Sequence, residues 1–149
     1  MSSTVRDKLY LGARIVLGAL FIAASIDKIA HPAAFAEIIH NYQILPDYLI
    51  NISAIVLPWL EALLGLCIIT GVWLPGTVVL ANLLLLTFFS ALLFNLSRGL
   101  NVHCGCFSTK ITDNPQTAWY VARDSLFLLL GLSVLLPLFR KRTARRNPV

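Results

Sequence analysis

Apolar residues in this chain gather into long unbroken runs rather than into alternating or once-per-turn patterns. Four such runs stand out: Leu9–Ala30, Leu49–Thr70, Pro75–Ser97 and Ala118–Phe139. A helix of about 20 residues crosses the hydrocarbon of a bilayer, so each run is long enough to span. Backbone N–H and C=O groups find no water in lipid, which makes these spans helices rather than open strands. The segment Gly71–Gly76, GVWLPG, predicts a tight turn between the second and third spans, with Pro75 opening the next helix. Between the first two spans, HPAAFAEIIHNYQILP has a different rhythm. Phe35, Ile38, Ile39, Tyr42 and Leu45 recur at helical spacing, with Glu37, His40 and Asn41 on another face. It reads as a short helix lying in the membrane interface, starting near Pro32.

The expected fold class is therefore an all-α membrane protein: four transmembrane helices in a bundle plus one short interfacial helix. The expected organisation is an N-terminal segment 1–8, a membrane domain 9–139 and a basic tail 140–149, the tail unstructured. Composition agrees. Of 149 residues, 58% are hydrophobic and 13% charged, about half the charged share of a soluble domain. The first run is long for the core of a signal peptide, and Asp27 and Lys28 stand where a cleavage site needs small neutral residues. It reads as a retained anchor.

Charge changes the picture in one respect. The net charge is +5, and Arg140, Lys141, Arg142, Arg145 and Arg146 equal the whole excess. Without a recognition motif this cluster is a topology signal or an anionic-lipid contact, not a nucleic-acid surface. Arg6 and Lys8 precede the first span, while the opposite loops carry only Lys28, Arg98 and Lys110 near helix ends. The positive-inside rule then predicts both termini in the cytoplasm of a multi-pass membrane protein. The loop containing Cys104 and Cys106 would face the periplasm or cell exterior, where disulfides persist.

That loop, NVHCGCFS, is the main chemical candidate. Two cysteines one glycine apart close only through a tight bend, and the small ring is a poor staple because it constrains almost no chain. A strained ring is also easier to reduce, as an electron carrier requires. His103, Arg98, Lys110 and Arg123 lie near in sequence or at the facing helix end, and cations favour a thiolate. Three other readings stay open: free surface thiols, half of a metal site completed by His31 or His40, or partners for cysteines on another chain. Cys67, deep in the second span, reads as a small buried hydrophobe.

Ionisable residues inside spans are costly and are functional candidates. By depth they fall into two groups. Arg14 and Glu61 lie in the inner half, near Asn82, and are expected to form an intramembrane ion pair that fixes helix packing. Asp27, Lys28, Arg123 and Asp124 lie near the outer ends, where they could pair crosswise between the first and fourth helices. There they could support a thiolate, move protons or orient a quinone head, or simply pack.

The segments ARIVLGALFIAASIDKIAHPAAFAEIIHNYQILP, LPWLEALLGLCIITG, VHCGCFS and WYVARDSLFLLLG, in this order, resemble the MauE branch of the MauE/DoxX-like membrane proteins. The resemblance covers about Leu9 to Leu138. It implies a four-helix membrane protein of the methylamine-utilisation type, assisting periplasmic maturation of a disulfide-rich client beside a thioredoxin-fold protein. The family's cysteines fall on Cys104 and Cys106, and its Arg-Asp pair on Arg123 and Asp124. Similarity to quinone-linked thiol oxidoreductases implies electron passage between periplasmic thiols and a quinone, with no covalently bound cofactor and no resident metal. Such enzymes carry a second cysteine pair; this chain has none, so a complete relay needs a partner to supply it. The competing reading is a non-catalytic assembly scaffold or a metal-handling site.

Overall fold

The computed structural model describes residues 3–100 and 117–146, with side chains for 5–100 and 119–139. Among these residues there are five helices: α1 (Ser3–Ala30), α2 (Pro32–Asn41), α3 (Asp47–Thr70), α4 (Leu74–Ser97) and α5 (Thr117–Arg146). Four of them, over Val5–Ala30, Asp47–Thr70, Leu74–Ser97 and Trp119–Phe139, are long and apolar enough to cross a membrane. The expected spans and the short amphipathic helix are all present. One expectation fails: the basic tail continues α5 as far as Arg146. Once a helix is nucleated, Arg, Lys and Ala extend it at little cost, and cations suit the negative end of its dipole.

The distribution of side chains is that of a protein in lipid. Ile52, Ile55, Trp59, Leu63, Leu66, Leu83, Leu86, Leu126 and Leu129 are exposed on the outside. Ser25, Lys28, Glu61, Thr77, Asn82, Asn95 and Asp124 are buried. Exposed apolar faces of this size have no tolerable place in water.

Helix α1 packs closely against α3. A Cβ on Gly18 would stand 2.9 Å from the Gly65 carbonyl oxygen, and one on Gly65 would stand 2.7 Å from the Gly18 carbonyl oxygen. Small residues are what let membrane helices approach so nearly. The core around this crossing joins Leu17, Phe21, Leu64 and Ile68 to Val78 of α4 and Val134 of α5. On the other side, α4 meets α5 at Gly131, where the Asn82 amide donates to the Gly131 carbonyl at 3.2 Å and to Val78 at 2.8 Å.

With Gly18 facing Gly65, and Arg14 donating to the Ile69 carbonyl, the antiparallel register of α1 and α3 is set. Continued outward, it leaves the first turns of α3 projecting beyond the end of α1 at Ala30. The chain turns there through His31, and α2 folds over the overhang, packing Phe35 and Ile39 on Ile50 and Ala54. At the opposite end, Gly71 closes α3 in the left-handed conformation, φ +83°, its N–H bonded to the Cys67 carbonyl at 2.8 Å. Trp73 also takes positive φ, +44°, and Pro75 lies in the first turn of α4.

Gly65→Val should force the α1–α3 crossing apart and cost roughly 1–3 kcal/mol of stability, the range for overpacking a tight contact. Gly12→Ala, where an added Cβ meets nothing within 4 Å, should leave the melting temperature in detergent unchanged or slightly raised.

Candidate functional site

Lys28, Glu61 and Asp124 converge on one cavity toward the end of the bundle covered by α2. Lys28 Nζ lies 2.8 Å from both Oε1 and Oε2 of Glu61, and the two side chains are only 3% and 5% exposed. The Phe35 and Phe88 rings flank the ammonium, with centroids at 5.0 and 5.3 Å. An ammonium so placed gains from the ring quadrupoles as well as from the carboxylate.

This corrects the expected Arg14–Glu61 pair. The reason lies in helix geometry. A Cα–Cβ bond tilts toward the N-terminus of its own helix. In the α1–α3 register Ile22 stands opposite Glu61, and Lys28 is six residues, ~9 Å, nearer the end covered by α2. Lys28 on α1 therefore leans inward while Glu61 on antiparallel α3 leans outward, and the two long side chains meet. Arg14 lies eight residues, ~12 Å, to the other side of Ile22 and leans away from Glu61. It instead bonds the Ile69 carbonyl at 3.0 Å, beside Gly71. A cation there satisfies a terminal carbonyl and opposes the helix dipole.

The remaining candidates sort by side. Asp124 is buried and accepts hydrogen bonds from Arg123 Nε at 3.1 Å and Nη2 at 3.0 Å. The Arg123 guanidinium lies near the Tyr120 and Phe127 rings, at 5.2 and 5.8 Å. Lys28, Glu61 and Asp124 line one cavity of about 50 Å³. Asp27, one residue from Lys28 but on another helix face, turns outward to His31 Nδ1 at 3.4 Å. His40 lies 3.6 Å from Asp47 on the exposed side of α2. Arg98 reaches Gln43 at 3.4 Å, which brings the end of α4 beside the α2–α3 connection. Cys67 is a free, half-buried thiol in the last turns of α3. His103, Cys104 and Cys106 lie outside the described residues. Among the described residues no three His, Cys, Asp or Glu side chains cluster as metal ligands would.

Sequence reasoning missed Tyr42 as a member of this site. Its phenol is pushed above its ordinary range, first by burial and then by the negative charge of Asp124. The amphipathic pattern had assigned it only to the apolar face of α2. Its position directly after the helix end was the available signal.

The family model for methylamine utilisation protein MauE matches residues 6–137. The chain belongs to the MauE family. The protein named methylamine utilization protein MauE from Paracoccus denitrificans is 34% identical over 123 residues, covering 81% of this chain and 65% of that protein. Proteins of the same name are similar at 31% identity in Methylorubrum extorquens, over 83% of this chain and 68% of that one, and at 29% in Methylophilus methylotrophus, over 90% and 70%. The chain thus spans about two thirds of the length of these curated MauE relatives. No solved structure matches.

Two outcomes test the geometry. Lys28→Met alone strands the Glu61 carboxylate and should cost about 3–5 kcal/mol, whereas Lys28→Met with Glu61→Leu should regain most of it, by unfolding titration in micelles. Arg14→Gln should not couple to either. For Tyr42, a raised native pKa means that the unfolded chain loses the phenolic proton first. Its contribution to stability is present below the ordinary phenol pKa and falls as pH rises above it. Tyr42→Phe should therefore lessen alkaline destabilisation, read as melting temperature against pH.

Proposed function

We propose that this MauE-family chain is a membrane thiol–disulfide redox and maturation factor of the methylamine-utilisation type. Cys104 and Cys106 exchange electrons with a thioredoxin-fold partner outside the cytoplasm, and a membrane quinone is the other end of the chain. Both termini lie in the cytoplasm in this reading, in keeping with Arg6, Lys8 and the Arg/Lys cluster after Phe139.

One observation carries the proposal beyond kinship. The connection from α4 to α5, which carries Cys104 and Cys106 in sequence, joins two helix ends at the same side of the bundle as the buried ion pairs. Arg98 at the end of α4 contacts Gln43, and Arg123 and Asp124 near the start of α5 act electrostatically on Tyr42. A structural ion pair needs no such neighbourhood; a redox site with a proton-holding floor does.

The chemistry balances with the partner's cysteine pair and a quinone as the two redox partners of Cys104 and Cys106. A Cys104 or Cys106 thiolate attacks the partner's disulfide, forming a mixed disulfide and expelling one partner thiolate. The second cysteine attacks the bridging sulfur of its neighbour, releasing the partner as a dithiol and leaving Cys104–Cys106 oxidised. Reversal of these steps oxidises the partner. When the dithiol of this chain meets a quinone, two electrons and two protons pass to the quinone, giving a quinol and the disulfide. Cys106, closer in sequence to α5 and Arg123, is the preferred attacking thiol.

Cys104→Ser and Cys106→Ser should each abolish thiol exchange with a thioredoxin-fold substrate, and one of the two should accumulate a mixed disulfide on non-reducing gels. Exchange at the wild-type rate in the double variant would overturn the redox reading and leave an assembly scaffold.

A further inference from the structure

The cavity beside Lys28 and Glu61 does not end at the ion pair. Its other walls include Phe21, Phe127 and Asp124. A second cavity of about 200 Å³ lies under α2, between Ile38, Ile39, Tyr42, Leu57 and Ala91. Leu84 and Phe88 line both. We propose that the two form one binding site for a neutral, membrane-soluble ring compound bearing carbonyl or hydroxyl oxygens, its head at Lys28 and Glu61 and its apolar tail under α2.

Each part of the ligand follows from the walls. The head is neutral because Lys28 is balanced by Glu61 and Arg123 by Asp124, so a charged head would bring an uncompensated charge into a low-dielectric interior. It carries oxygen because the ion pair keeps hydrogen-bonding capacity on both sides. An ammonium has three donors and a carboxylate about four acceptor positions, and the pair uses two N–H groups and one position on each oxygen. The spare N–H suits a carbonyl; the spare carboxylate positions suit a hydroxyl. One site therefore holds both the oxidised and the reduced form of a ring compound that gains two protons and two electrons. The ring is expected because Phe21, Phe88 and Phe127 supply stacking surfaces. The tail is apolar because, among the described residues, the larger chamber offers only Thr87 and Tyr42 as polar side chains.

Structural need alone does not explain this arrangement. A packing pair would be stable in a filled interior, whereas here Lys28, Glu61 and Asp124 border an unfilled, mainly apolar cavity. The inference rests on the redox reading in one respect: it supplies the quinone class as the natural occupant.

The test uses the full chain in detergent, in a Cys104→Ser/Cys106→Ser background so that binding is read apart from thiol exchange. The probes are a decyl-tailed benzoquinone, the same ring without its tail, and decanol. The tailed quinone should bind saturably in calorimetric titration, and decanol should bind at least tenfold more weakly. Lys28→Met/Glu61→Leu should weaken the tailed quinone at least tenfold while retaining its helical circular dichroism. Ala91→Phe, filling the tail chamber, should weaken the tailed probe tenfold and leave the tail-less ring unchanged. Non-saturable uptake, or equal affinity in all variants, would overturn the site. If binding fails while wild-type thiol exchange proceeds, the site falls and the redox reading stands. If binding behaves as expected and exchange is absent, the reverse holds.

Discussion

A lysine ammonium cannot be left alone in hydrocarbon, and the half of this bundle beneath α2 is organised around that constraint. Desolvation of either Lys28 or Glu61 by itself costs several kcal/mol; together, at 2.8 Å to both carboxylate oxygens, each supplies what the other lost from water. Their meeting requires α1 and α3 to lie antiparallel in one register, and the Gly18–Gly65 crossing sets it. It also requires that water be kept from a lysine only two residues from the end of α1. The α2 helix does this by folding over the overhanging start of α3 and placing Phe35 on the ammonium.

Much of this was legible in the residues themselves. Runs of apolar side chains longer than the bilayer is thick have one physical solution, and the shorter period of Phe35, Ile38 and Ile39 has another. The pairing of charges was less legible because depth alone sorts Arg14 with Glu61. What decides the partner is direction: side chains on antiparallel helices lean toward opposite membrane faces, and a long Lys stem adds several ångströms to that lean. Arg14 finds a backbone carbonyl instead, a partner no pattern of side chains advertises. The tail beyond Phe139 reads as unstructured when polarity is equated with disorder, although Arg, Lys and Ala are good helix formers.

Kinship and geometry contribute different things to the functional reading. Membership of the MauE family supports the proposed role in methylamine utilisation. The geometry adds buried ion pairs at the end of the bundle from which the α4–α5 connection departs, with Tyr42 held as a neutral phenol beside Asp124. The Cys-Gly-Cys pair belongs to that connection by sequence, and its electron-carrying role is the part of the proposal that rests on cysteine chemistry.

The central claim is the identity of the partner of Glu61. Solid-state NMR on the chain in bilayers, with 15N in lysine and arginine side chains and 13C in glutamate carboxyls, measures that contact as a dipolar coupling. A strong Lys Nζ–Glu Cδ coupling that vanishes in Lys28→Met and survives in Arg14→Gln is the predicted result. A Glu61 coupling to a guanidinium nitrogen, lost in Arg14→Gln, would contradict the register, the site and the cavity built on them.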